Sequence, residues 1–422
     1  MTEPRHHRTL FMVGVLSSVV VVEPAPVDLL LVGLSAIWMV RDRMRLPALA
    51  VALGSTYVSL SVFSQLIGNA NDYAIDGRII RDLAIEGYLV LTLITLMVKF
   101  AQDRNAMRSF FTGVTIGAVV VSTTFLLLEV VGQAPDLFYR DEFRSRVRGL
   151  FKDPNVLGPF LVMPILLLLV RNELVKLPMA RLAATPCVLV LVLTYSRGAY
   201  VAFACSLVFL AAIILIREQI TYAGAATAAG GLAVLFIAGW ALWGVAGAPE
   251  IGFNTDRLAL QSYDAGRFSL NYSARDWILQ YPFGNGVQAF AREIGVNPHN
   301  LFLGKAVDAG ILGGLIVVAV PIVAIARALV AKTDIPRFGA ITAAALTGNM
   351  AVSMVIHSHH WRHLFFTVAA ALAIGAHHKL SHLRDVEIDL VYSESLDGAI
   401  RQPGERRTGA RAGSTAIHGG MP

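Results

Sequence analysis

Apolar residues run through this chain in long uninterrupted blocks, not in helical stripes or strand-like alternation. Such blocks are read as membrane spans, because a helix that is apolar all round has no face for water. Twelve are predicted, over roughly 10–22, 27–40, 48–67, 83–99, 109–132, 155–170, 182–195, 198–216, 222–245, 310–331, 338–357 and 364–378. Several fall short of the ~20 residues a straight crossing needs, and the first two, hinged at Pro24 and Pro26, also read as one broken hairpin. The expected fold is an all-α polytopic integral membrane protein of about twelve helices. Its membrane domain covers 1–378, with one large polar loop at about 246–300. The tail, 379–422, is rich in Gly, Arg, Ser and Thr and is predicted to be disordered.

Composition agrees with that reading. Only 15% of the 422 residues are charged and the mean hydropathy is +0.62, whereas a soluble domain averages about 25% charged. Glu23-Pro24-Ala25-Pro26 interrupts the first apolar run and no small-residue cleavage site follows, so no cleavable leader is expected. Cys187 and Cys205 lie inside spans and read as small core residues, not as a disulfide. The net charge of +6 is no argument for nucleic acid, since basic residues in a membrane protein first report orientation.

Arg41, Arg43 and Arg45 crowd one short loop, which the positive-inside rule places in the cytoplasm. Both termini then fall inside, together with Lys99, Arg104, Arg108, Arg171, Lys176, Arg181, Lys332 and Arg337. The exceptions are Arg140, Arg144, Arg146, Arg148 and Lys152 in an outer loop at 133–154, Arg197 at an outer turn, and Arg257, Arg267, Arg275 and Arg292 in the large outer loop. Pairing with the outer acids Asp136, Asp141, Glu142, Asp256, Asp276 and Glu293 explains some of them, but exposed pairs contribute little. The other explanation is an anionic ligand on the outer face.

Candidate chemistry concentrates at 297–313, Asn-Pro-His-Asn-Leu-Phe-Leu-Gly-Lys-Ala-Val-Asp-Ala-Gly-Ile-Leu-Gly. Asn297 reads as a helix cap and Pro298 as the first helical residue. On that helix Gly310 falls about three turns below His299, and Gly313 lies near the same stripe, giving a smooth face for another helix or a lipid chain.

Three stretches resemble the O-antigen ligase and polymerase superfamily of bacterial membrane proteins. They are Arg148-Gly149-Leu150-Phe151-Lys152-Asp153-Pro154-Asn155, the turn Thr194-Tyr195-Ser196-Arg197-Gly198-Ala199, and His299-Asn300 followed by Gly310 and Gly313. Arg275-Asp276-Trp277 and Tyr281-Pro282-Phe283-Gly284-Asn285-Gly286 are similar to the segment before the last signature. The resemblance implies a metal-independent, inverting glycan transferase without cofactors, in the cytoplasmic (inner) membrane of a bacterium with its active site facing the periplasm. Its donor would be a polyprenyl diphosphate-linked glycan and its acceptor a saccharide or glycolipid. The Phe-Lys-Asp-Pro-Asn variant is similar to exopolysaccharide polymerases more than to ligases.

The residue types suit that chemistry. A departing diphosphate gains charge, and guanidinium groups match its oxygens in bidentate geometry. Arg148, Arg197 and Arg275 are the candidates, expected to converge from three loops, with Arg146 beside them. The acceptor hydroxyl must lose a proton, and a neutral imidazole is a fitting base. That role falls to His299, with Asn300 orienting the base or the acceptor. Plainer readings stand beside these. His299 can be an interfacial or capping histidine, Arg197 a snorkelling cation, Arg275 the partner of Asp276, and Lys152 and Asp153 a local pair or a cap. Four histidines within 357–363 offer ligands for zinc, but no carboxylate or thiolate accompanies them, and a packing or cleft-lining role is the expectation. Gly230-Gly231 suits close helix packing and lacks the context of a phosphate loop.

Two other classes compete. A flippase of lipid-linked saccharides should carry ionisable residues along a path through both leaflets, and the predicted span interiors are nearly free of them. A scaffold partnered with other polysaccharide export proteins predicts that His299→Ala changes nothing beyond expression.

Overall fold

Three aspartates start the long helices that organise the chain. Asp76 Oδ1 accepts hydrogen bonds from the Arg78 and Ile79 amides at 2.9 and 3.0 Å. Asp103 Oδ1 does the same for Asn105 and Ala106 at 2.9 and 3.2 Å, and Asp153 Oδ1 for Asn155 at 2.7 Å. Each satisfies amides that the first helical turn leaves without partners. Asp153 is thus a cap, while its neighbour Lys152 pairs with Glu23 at 3.1 Å.

The structure, a computed structural model, describes residues 3–42, 44, 46–71, 73, 75–139, 146–218, 262–331, 333–358 and 360–374. Over these residues the chain is helical, with two isolated β-bridges and no strand. The helices are α1 (Glu3–Leu16), α2 (Pro26–Val40), α3 (Ala48–Ala70), α4 (Gly77–Gln102), α5 (Arg104–Val130), α6 (Pro154–Leu169) and α7 (Ala180–Leu193). They continue with α8 (Arg197–Glu218), α9 (Ser262–Gln280), α10 (Ala289–Ile294), α11 (Leu301–Val330), α12 (Pro336–Ser353) and α13 (Arg362–Ile374). Among the described residues five helices, α3, α4, α5, α8 and α11, are long and apolar enough to cross a membrane, and α2, α6, α7 and α13 are shorter apolar helices. The span predicted over 222–245, Gly230-Gly231 and the tail at 379–422 lie outside the described residues.

Small residues let the helices meet. Gly14 of α1 abuts the Phe110 carbonyl, and Gly113 of α5 the Phe11 carbonyl, so the two backbones touch. In a bilayer such packing, and not the hydrophobic effect, holds helices together. α12 is largely enclosed, with Ala343, Ala344, Ala345 and Leu346 fully buried and Gly348 seated on the Ala202 carbonyl of α8.

The connections sort into two ends. At one end His7 bonds Asp103 at 2.8 Å, Glu173 accepts the Arg337 and Phe338 amides at 3.2 and 3.0 Å, and Arg104 pairs with Asp334. These are among the loops assigned to the cytoplasm from charge. The motif-bearing segments gather at the other end.

Two expectations need correction. The stretch 246–300 is not simply a loop, since it holds α9 and α10. Trp277 of α9 packs against Tyr281 and Phe290, with ring centroids 4.8 and 5.6 Å apart, in a small core of its own. The helix expected to start at Pro298 starts at Leu301, and Asn300 caps it in place of Asn297.

Candidate functional site

The first and second motifs are joined through Asn155. Its Oδ1 accepts hydrogen bonds from Arg146 Nη2 and from Ser196 Oγ, each at 2.9 Å. Arg146 Nε also donates to the Thr194 carbonyl at 3.1 Å, and the Val147 amide to the Leu193 carbonyl at 3.1 Å. Ser196 Oγ in turn caps the Ala199 amide at 3.2 Å. These bonds hold Tyr195 in the left-handed region, φ 45°, a strained setting for a non-glycine residue. The strained turn delivers Arg197, half-buried, as the first residue of α8. Arg146 therefore serves the turn. Arg148 points elsewhere: its Nε donates to the Leu137 carbonyl at 3.0 Å.

The third motif begins with His299, half-buried immediately before α11. Asn300 Oδ1 accepts from the Phe302 and Leu303 amides at 2.9 and 3.1 Å, while its Nδ2 donates to the Met354 carbonyl at 2.9 Å. One side chain thus starts α11 and ties it to the connection between α12 and α13. Gly304 makes room for a second imidazole, since a Cβ there would stand 2.8 Å from His357 Nε2. The connection also meets the second motif, because Gly198 packs against Val352 and Ile356. Residues 352–357 are therefore the shared wall between the Arg197 turn and the head of α11.

The smooth stripe expected at Gly310 and Gly313 is absent. α11 is broken at Ala309 and Gly310, where Gly310 adopts φ 76° and ψ 177°. The break admits the Tyr-Pro-Phe-Gly-Asn-Gly loop: the Ile311 amide donates to the Pro282 carbonyl at 2.9 Å, and Gly284 faces the Asp308 carbonyl and Gly310 amide. A Cβ on Gly310 would lie 2.6 Å from the Pro282 carbonyl oxygen, so this position needs glycine for both shape and space. Gly313 is buried and relieves the crowding that the kink creates against Ala309.

Of the arginines on α9, Arg267 is the one whose charge reaches His299; Arg275 is exposed beside the buried Ala274 and Trp277. The structure links the Arg197 turn to Arg146, and His299 to Arg267. Burial first, and the Arg267 guanidinium second, hold the His299 imidazole below its ordinary pKa. It is neutral, and able to take a proton, at neutral pH.

Ionisable groups that sequence reasoning missed lie just beneath. Buried Lys305 of α11 pairs with Glu86 of α4 and stands 3.8 Å from Asp308. Ser61 donates to Glu86 at 2.9 Å and Ser64 to the Asp308 carbonyl at 2.6 Å. The i, i+3 spacing of Lys305 and Asp308 on the helix expected there was a readable signal that the sequence reading did not use. The expectation of span interiors nearly free of charge is corrected accordingly. These groups occupy the first turns of α4 and α11, toward one end of both helices.

The 357–363 cluster is built into the same end. Arg362, buried, clasps Asp28 of α2 through Nε and Nη2 at 2.5 and 2.6 Å, and lies 3.7 Å from Glu23, the partner of Lys152. His363 stacks on Trp361 at 5.3 Å and meets Phe160 edge-on at 6.1 Å. Among the described residues no three His, Cys, Asp or Glu side chains form a metal-ligand group.

Among the described residues the chain is all-α, its apolar helices are those of a polytopic membrane protein, and its histidine- and arginine-bearing motifs gather at one end of the bundle. Residues 182–318 match the family model described as O-antigen ligase, over about a third of the chain, which supports the resemblance to the O-antigen ligase/polymerase superfamily. The match covers the Arg197 turn and the His299 signature; the Arg148–Asn155 stretch lies ahead of it. None of the curated proteins compared matches the chain.

Proposed function

We propose that the protein is a metal-independent glycosyltransferase that moves an oligo- or polysaccharide from a polyprenyl diphosphate carrier to an acceptor sugar hydroxyl, at the periplasmic face of the bacterial inner membrane. The match to the O-antigen ligase family model supports glycan transfer in general. The observation that carries the finer reading is His299, a half-buried imidazole kept neutral beside Arg267 at the head of α11.

In this reaction the acceptor oxygen attacks the anomeric carbon and its proton passes to His299. The bond from that carbon to the phosphate oxygen breaks, and its electron pair leaves with the diphosphate. The leaving group gains one negative charge, and offsetting it is the role we assign to Arg267 and Arg197. Arg146 and Asn155 aim Arg197, and Asn300 fixes the direction of the imidazole's backbone. The earlier resemblance of the Phe-Lys-Asp-Pro-Asn stretch favours polymerisation of a surface polysaccharide over ligation to lipid A core.

The buried Lys305, Glu86 and Asp308 make transport of a lipid-linked saccharide the second reading. One experiment separates the two. Purified protein in vesicles is given a polyprenyl diphosphate oligosaccharide, a saccharide acceptor and a chelator. Transfer appears as a longer glycan with released carrier; transport appears as unchanged donor in the opposite leaflet, which would overturn the proposal.

A further inference from the structure

Gln288 precedes α10 with φ 67°, one of three non-glycine residues in the left-handed region among the described residues. Glycine would take that backbone without strain, so the side chain needs a reason to be there. Every polar face of it is used. Nε2 donates to Asp82 Oδ2 of α4 at 3.0 Å, and Oε1 accepts from Asn297 Nδ2 at 3.3 Å. The backbone amide faces Asp308 Oδ1 of α11 at 3.4 Å. Asp82 and Asp308 are buried, and Lys305 anchors Asp308 from the other side.

Asn297 is two residues before His299, and the intervening Pro298 is buried with a fixed φ, so a hold on Asn297 is passed stiffly to the imidazole. Asn300 fastens the following residue to Met354. His299 is thus suspended between two anchored asparagines, one of them tied to α4 and α11 through Gln288.

We propose that Gln288 is a positioning residue for glycan transfer, its carboxamide fixing the His299 loop against α4 and α11. This rests on the role given to His299 above. The groups that face His299 are Arg267 from α9 and His357 from the connection after α12. A loosened loop draws the imidazole away from both and into water.

The test uses full-length protein and three variants. Gln288→Gly keeps, and eases, the backbone while deleting the carboxamide. Gln288→Glu sets a carboxylate against Asp82. Gln288→Glu with Asp82→Asn restores a donor–acceptor pair with the charge moved across it. Transfer kinetics are measured against pH, with folded fraction from size-exclusion chromatography. Gln288→Gly is expected to fold and to lose kcat by ~10²-fold, the scale of a 1 Å misplacement, with KM unchanged. The acid limb of its kcat profile should move up toward ordinary imidazole values. Gln288→Glu should be as poor or poorer, and the double variant should recover most of the loss. A Gln288→Gly enzyme with wild-type kcat and an unmoved limb, or a double variant no better than Gln288→Glu, would overturn the proposal alone. A wild-type protein that never transfers would overturn it together with the reading of His299.

Discussion

Gly310→Ala tests the break in α11 most sharply. The wild-type backbone at φ 76° and ψ 177° lies in a region open essentially to glycine, and holding another residue there costs about 1–3 kcal/mol. The new methyl would also meet the Phe283 carbonyl carbon and the Pro282 oxygen, each at 2.6 Å, and those are backbone atoms that cannot rotate aside. Overpacking of that kind adds roughly 1–3 kcal/mol. The sum, on the order of 2–6 kcal/mol, is a large share of the ~5–15 kcal/mol that holds a folded domain together. The assay is thermal unfolding of the detergent-solubilised protein, followed by loss of the monomer peak. Gly33→Ala is the control: it sits in α2 with no atom within 4 Å of the added carbon. Its helix gains about 0.8–1 kcal/mol in propensity, so its midpoint should hold or rise. The reasoning is refuted if Gly310→Ala unfolds at the wild-type temperature, because a smooth helical stripe, not a seated loop, would then describe this segment.

Other outcomes follow from the same geometry. His299→Ala should remain folded and lose transfer by ~10²–10⁴-fold in a radiolabelled-glycan assay. Because burial and Arg267 lower the His299 pKa, wild-type kcat should be flat through neutrality and fall only as the pH drops through a value below the ordinary imidazole range; a fall beginning above that range would contradict the assignment. Lys305→Met leaves Glu86 buried without its partner and should cost about 3–5 kcal/mol in denaturation, with Lys305→Met/Glu86→Gln recovering much of it. Asp28→Ala strands buried Arg362 and should be destabilising on the same scale, about 3–5 kcal/mol, read as a drop in unfolding midpoint.

The helices were legible as apolar runs, as at 48–67 or after Asp153-Pro154, but the start of α5 at Arg104 was missed because the capping Asp103 and its polar first turn precede the apolar run. The candidate site was legible as residue types: the His-Asn pair, the Ser-Arg-Gly-Ala turn and a surplus of cations in loops assigned to the outside. Direction was harder. A glycine that lines a helix face and one that breaks the helix look alike in sequence, and Gly310 is the second kind. Arg267 and Arg275 share α9, and spacing along that helix does not say which faces His299. Arg146 and Arg148 differ by two residues, yet one braces Thr194 and the other bonds Leu137. Lys305, Asp308 and Glu86 escaped because a buried charge is recognised by its partner, and that partner comes from a helix far away in the chain. Gln288 escaped for the same reason, since its bonds reach Asp82, Asn297 and Asp308 across the fold.

The central claim is that one imidazole at the head of α11 takes the acceptor proton while a polyprenyl diphosphate departs. It is tested most directly by single-turnover release of the carrier from a polyprenyl diphosphate oligosaccharide, with wild-type protein and His299→Ala at equal folded concentration. The account predicts carrier and extended glycan in equal amounts from the wild type, and a release rate lower by ~10²–10⁴-fold in the variant. Equal release rates from the two proteins, or carrier that never appears with the wild type, would contradict it.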